Sequence, residues 1–194
     1  MFISSKTLPK LMKDAFKGSG LKIGMIEGGF YISHPNNWEV LLATSAIPNK
    51  IKAVVIELYG NFPKFGELVL IRKDENPMEI PVLGYPVLKE RYDACSHGAV
   101  STKTIIIRGG KEYYLFQGDD RKIIMILRSH MDLIDCTEID YDVEGEPVGP
   151  SYEDIQDGIF YRNATGILFI HAVIPVQTPL IDAYSRLNFE EEVL

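Results

Sequence analysis

Apolar positions along the chain change period several times, and those changes divide it into elements. From Leu8 to Lys17 the residues Leu8, Leu11, Met12, Ala15 and Phe16 recur at three- and four-residue spacing, which places them on one side of a helix. Lys10, Lys13 and Lys17 fall within about 60° of one another on the other side, and Lys6 at the cap projects onto the same stripe. Phe2 to Ser4 reads as a short strand before it. Ser5 or Thr7 is placed to cap this helix, Pro9 is tolerated in its first turn, and Gly18-Ser19-Gly20 ends it. Leu21 to Ile26 and Phe30 to Ser33 then form a hairpin across Gly28-Gly29, since glycine best suits a two-residue turn with positive φ at both positions. Trp38 to Thr44 is a third strand. Ile47-Pro48-Asn49 opens a second helix, with Ile51, Val54, Val55 and Leu58 on one face and Gly60-Asn61-Phe62-Pro63 as its stop. Glu67 to Arg72 returns as a strand.

The same order then recurs. A helix from Val87 to His97 leads into strands at Lys103 to Ile107 and Glu112 to Phe116, joined by Gly109-Gly110, and a third at Lys122 to Leu127. A helical stretch from Ser129 to Cys136 and a strand at Ile139 to Val143 follow. The acidic, Gly- and Pro-containing segment 144–157 reads as an inserted loop, and Ile159 to Arg162 with Gly166 to Val176 make a final hairpin. The expected fold class is α+β: two tandem units, each strand, helix, three strands, helix, strands, with helices on one face of antiparallel sheets. The first unit spans 1–75 and the second 87–178. Between them, 76–86 is the linker, carrying Pro77, Pro81 and Pro86 with Glu79 to Leu83 extended, and 179–194 is an acidic C-terminal tail ending in Glu190-Glu191-Glu192.

At 194 residues the chain can hold two small cores, and 46% hydrophobic with 24% charged residues is an ordinary soluble composition. Apolar runs such as Ile123 to Leu127 are far too short to span a bilayer, so no membrane partner is expected. Two cysteines, Cys95 and Cys136, are too few for a disulfide framework, and a cytoplasmic location is expected. The net charge of −7 excludes a protein that coats nucleic acid with its whole surface, but not one that confines positive charge to one face. The position of the lysines therefore matters more than their number. Lys50 and Lys52 begin the second helix, where positive charge opposes the helix dipole and so does not serve helix stability. Lys89 and Arg91 are diluted by Glu90 and Asp93.

Catalytic chemistry is sparsely represented. Cys95-Ser96-His97 is the one close Cys/His pair and lacks zinc-ligand spacing, while His34, His130 and His171 are scattered. No nucleophile elbow, phosphate-binding loop or metalloprotease helix occurs. No catalytic residue, metal ligand or cofactor is assigned. A metal-dependent hydrolase would have to use Cys95, His97 and acidic turns such as Asp119-Asp120.

The order of elements resembles the DNA sliding clamps, the family of the bacterial beta clamp, proliferating cell nuclear antigen and the small clamps of phages. The residues that carry the resemblance are Phe2-Ile3-Ser4, the Leu8 to Lys17 helix, the Gly-Gly hairpin, and Ile47-Pro48-Asn49-Lys50 leading to Gly60-Asn61-Phe62-Pro63 before Gly66-Glu67-Leu68-Val69. The resemblance, which extends to the small clamps of phages, implies a non-enzymatic polymerase processivity factor that closes into a ring, a trimer for two units per chain. Double-stranded DNA would meet Lys6, Lys10, Lys13, Lys17, Lys50 and Lys52. Polymerase or clamp-loader peptides would dock at Ile80, Val82 and Leu83. The alternative, from the same architecture, is a structural or adaptor protein of phage origin that binds other proteins.

Overall fold

The computed structural model describes residues 1–83 and 88–189, the side chain of residue 138 aside. Among these residues six α-helices and eleven strands follow in order: α1 (Thr7–Lys17), β1 (Leu21–Ile26), β2 (Gly29–His34), β3 (Trp38–Ala43), α2 (Asn49–Tyr59), β4 (Leu68–Ile71), β5 (Met78–Glu79), α3 (Leu88–Asp93), β6 (His97–Arg108), β7 (Lys111–Gly118), β8 (Ile123–Leu127), α4 (Arg128–Met131), α5 (Tyr141–Glu144), β9 (Val148–Tyr152), β10 (Gly158–Asn163), β11 (Gly166–His171) and α6 (Pro179–Arg186). The protein is thus α+β, built on a large antiparallel sheet. Its strands lie in the order β5-β4-β1-β2-β3-β11-β10-β9-β6-β7-β8.

Two runs of the sheet show a similar order of neighbours. In the first half the strand after the second helix, β4, pairs with β1, and β2 and β3 follow outward. In the second half β9 pairs with β6, and β7 and β8 follow in the same way. β5 flanks β4 as β10 flanks β9. The last strand, β11, pairs with β3 over Trp38–Leu42 and sews the two halves into one sheet.

Alternate strand residues point to opposite faces, so two sets of apolar side chains need cover. Phe30, Ile32, Val40 and Leu42 join the principal cluster with Leu8, Met12 and Ala15 of α1 and Ile51, Val54 and Val55 of α2. That cluster also takes in Ile124, Ile126, Ile159 and Ile170 from the second half. The β-branched run Val54-Val55-Ile56 is helical because packing of its buried face outweighs intrinsic propensity. Tyr31, Leu41, Phe160 and Phe169 face the other way and are covered by Leu88 of α3. Leu115, Ile123 and Met125 are covered by Ile181 of α6. Helices therefore pack on both faces of the sheet, whereas the sequence pattern placed them on one. The short α3 does not repeat the position of α1.

Several local expectations are corrected. The first hairpin turns on Glu27 (φ 56°) and Gly28 (φ 74°), one residue earlier than the Gly28-Gly29 turn, while Gly109 and Gly110 (φ 57° and 75°) turn the second hairpin as expected. Gly29 is needed for a different reason: a Cβ there would lie 2.6 Å from the Leu42 carbonyl oxygen. Glu27 occupies its left-handed turn while its carboxylate accepts the Leu88 and Lys89 amides at 2.9 and 3.2 Å, tying the first hairpin to the start of α3. Neither Ser5 nor Thr7 caps α1: the cap position falls at Lys6 without a side-chain bond, and the Ser4 Oγ accepts the Thr7 amide at 3.2 Å. Phe2 to Ser4 forms a single bridge, Ile3 to Ile134, rather than a strand.

In the second half, segment 144–157 contains β9 instead of an inserted loop. Pro147 and Pro150 argue against a strand in sequence, and β9 tolerates Pro150 because its pairing with β10 is irregular between Phe160 and Arg162. Residues 139–143, expected as a strand, contribute instead to the turn of α5. The helix expected to reach His97 ends at Asp93, and β6 begins at His97. Gly84 to Pro86 of the linker, Val87 and the Glu190-Glu191-Glu192 run lie outside the described residues.

Candidate nucleic-acid interface

α1 and α2 pack side by side over the principal cluster. α1 buries Leu8, Met12 and Ala15 and α2 buries Ile51, Val54 and Val55, which leaves the lysines of each helix away from its most buried side. Lys6, Lys10, Lys17 and Lys50 are exposed, and Lys13 and Lys52 are half-buried. Lys13 is engaged across the helix pair, its Nζ lying 2.8 and 2.7 Å from the two carboxylate oxygens of Glu57. Asp14 and Glu57 are the acidic residues of the two helices. Neither helix contains arginine, so the surface offers ammonium point charges rather than bidentate guanidinium forks.

The second half does not extend this basic row. Arg91 of α3, on the opposite face, is turned to Glu39 at 2.8 Å. Arg128 at the start of α4 is paired with Glu112 at 2.6 Å. Of the expected docking residues, Ile80 and Val82 pack against the cluster under α3, whereas Leu83 is 98% exposed.

The Cys95 and His97 pair is not brought together. The Cys95 thiol donates to the Arg91 carbonyl at 3.4 Å, and burial, with help from the Glu153 carboxylate, pushes its pKa up to about 11, so it is not a ready thiolate. His97 instead places Nδ1 2.6 Å from Asp119 and stacks on Tyr152, whose hydroxyl donates to the same carboxylate. Those two bonds, Tyr152 first and then His97, hold the Asp119 carboxyl below its ordinary range. Among the described residues no group of three His, Cys, Asp or Glu side chains converges to hold a metal ion, and no helix is long and apolar enough to cross a membrane.

A site that sequence reasoning missed lies on the face opposite α1 and α2. Glu39 of β3 is 9% exposed, accepts from the Tyr31 hydroxyl at 2.6 Å and from Arg91 at 2.8 Å, and has the His171 imidazole at 3.4 Å. Burial raises its pKa, but His171, Arg91 and Tyr31 more than offset that and hold it down to about 2. The imidazole is long for a hydrogen bond, so the closer Arg91 and Tyr31 donors carry the firmer hold. The Arg91 guanidinium lies 4.3 Å from the centre of the Phe169 ring. A glutamate inside the apolar run Trp38-Glu39-Val40-Leu41-Leu42 was the available sequence signal; its partners on α3 and β11 carry none. No family model matches the chain, and no curated protein matches it.

Proposed function

We propose that the protein is a sequence-independent double-stranded DNA-binding protein of the sliding-clamp kind, with Lys6, Lys10, Lys13, Lys17, Lys50 and Lys52 meeting the phosphate backbone. The observation that carries this reading is the packed α1 and α2 pair, whose cations are all lysines in a chain with net charge −7. Lysine contacts to phosphates fix no sequence and can break and re-form along a duplex, and an acidic remainder disfavours DNA elsewhere on the surface. The duplicated strand order suits a ring segment, and β8, which stands in the second half where β3 stands in the first, is the edge through which copies would pair into a trimer. In this reading the chain is a non-enzymatic processivity factor acting in the cytoplasm, and Leu83 with Ile80 and Val82 is where polymerase or loader peptides bind.

The test is retention on closed-circular DNA. Charge reversal at Lys10, Lys13 and Lys17 together abolishes retention and flattens the salt dependence of binding while the fold is kept. Retention unchanged by the triple variant refutes the reading. A protein-binding adaptor is the second reading, favoured by the exposed apolar residues Ile107, Ile174, Val176 and Leu187 in the second half. It requires that no salt-dependent DNA affinity be found.

A further inference from the structure

α6 and the extended residues before it run across the outer edge of the second half. Met125, the middle residue of β8, gives its backbone N–H to the Val173 carbonyl at 2.9 Å and accepts the Val173 N–H at 2.8 Å. The last strand of the sheet thus has its central residue occupied by the chain's own C-terminal segment. Beyond Val173, Ile174 and Val176 are each 60% exposed, and the segment then returns as α6 onto the face made by Leu115 and Gln117 of β7 with Met125 and Ile123 opposite them. Gln117 is buried among apolar neighbours, and its amide is committed to the main chain of that segment. Its Nε2 donates to the Tyr184 and Leu187 carbonyls, both at 3.0 Å, and its Oε1 accepts the Phe189 amide at 3.2 Å. The apolar hold is slight: α6 buries Ile181, where α1 buries Leu8, Pro9, Met12 and Ala15. Thr178 caps α6 from within the segment, accepting the Ile181 amide at 3.3 Å, so detachment leaves that bond intact. An element with one buried apolar anchor belongs at the low end of the range of local opening free energies.

We propose that residues 173–189 form a strap that opens to let β8 pair with a second copy of this chain, so that the docked strap is the unassembled form. The inference rests on the assembly through β8 that belongs to the clamp reading above. Strap and neighbour compete for the same two backbone groups, because a strand added to β8 must use the N–H and C=O of Met125 that Val173 holds. Alternate residues of an antiparallel strand turn these groups to the same side, so Ile123 and Leu127 share the outward side with Met125. A neighbouring strand would reach all three, whereas the strap makes a single bridge. Covering an edge with a loop or helix is how sheets avoid indiscriminate pairing. Here the cover stays docked in the isolated chain and yields when a second copy offers a longer ladder.

The experiment is light scattering of the full chain over a concentration series, with amide exchange at Met125 as the readout of strap opening. Ile181→Asp places a charge in the apolar contact under α6, and Val173→Pro removes the N–H given to Met125 while leaving Ile181 in place. Each speeds Met125 exchange and tightens self-association into a trimer about tenfold or more, the inverse of the fraction of open strap in the unaltered chain. A synthetic peptide of residues 172–189 returns both variants to monomer, which clumping of an uncovered apolar face would not do. Faster Met125 exchange without tighter association overturns the proposal, as does association that the peptide does not reverse or Met125 exchange that neither variant moves. Association that responds to the strap in a chain that does not retain circular DNA keeps the strap and refutes the DNA reading. Lysine-dependent retention with association indifferent to the strap does the reverse.

Discussion

Replacing Glu39 with glutamine removes one charge from the interior and almost nothing else, so the effect on folding can be worked from the structure. A carboxyl held at about 2 against an ordinary 4.5 binds its proton far more weakly in the folded chain than in the unfolded one. At about 1.4 kcal/mol per tenfold change in proton affinity, the ionised group contributes about 3 kcal/mol at neutral pH. Because the folded value lies below the unfolded one, that contribution is complete above about pH 4.5 and is lost as pH falls through the folded value near 2. Glu39→Gln should therefore lower the unfolding free energy by about 3 kcal/mol at pH 7, near the lower end of the cost of leaving a buried cation unpaired. The loss should shrink as pH falls from 4.5 toward 2. Urea unfolding followed by circular dichroism at a series of pH values measures both quantities. A loss that stays constant across that range would show that the charge of Glu39 is not what holds α3 to the sheet, and would refute the reasoning.

Other outcomes follow from neighbouring geometry. Glu57→Gln releases Lys13 from its cross-helix pair, so DNA affinity should rise and the slope of log K against log salt should steepen by about 0.9; folding should change by less than about 1 kcal/mol. A duplex-binding assay at several salt concentrations checks this. Burial, with smaller contributions from His34, Lys111 and His171, lowers the His130 pKa from 6.5 to about 4, so His130 favours folding above about pH 6.5 and that contribution falls away as pH drops through 4. His130→Gln should flatten the stability profile between those values by about 3 kcal/mol, read by denaturant titration. Gly29→Ala drives a Cβ into the Leu42 carbonyl oxygen and should cost several times more thermal stability than Gly28→Ala, which meets no atom within 4 Å and carries only its positive φ, about 1 kcal/mol. Melting curves of the two variants decide it.

The elements of the first half were legible because each is written locally. The three- and four-residue spacing of Leu8, Met12 and Ala15, the Pro48 start and Gly60 stop of α2, and the apolar runs of β1, β2 and β3 all survive in the structure. In the sheet, β4-β1-β2-β3 and β9-β6-β7-β8 neighbour one another in a similar order, while α3 does not repeat the position of α1. β9 was not legible, because Pro150 fits a strand only where the pairing with β10 is irregular, and that exists only once β10 lies beside it. The face chosen by α3 was not legible either. Val87 to His97 has an amphipathic pattern that fits either side of a sheet, and its side is fixed by Glu27 at its first amides and by Glu39 under Arg91, residues 61 and 52 positions away.

By itself the sequence determined the lengths and starts of most elements and the segregation of Lys10, Lys13 and Lys17 onto one stripe of the first helix, since both depend on spacing along a few turns. The tertiary structure decided that α1 and α2 pack side by side, that Lys13 pairs with Glu57, and that Glu39 and Arg91 meet on the opposite face of the sheet. Those are distances between side chains remote in sequence, set by which faces must be buried together.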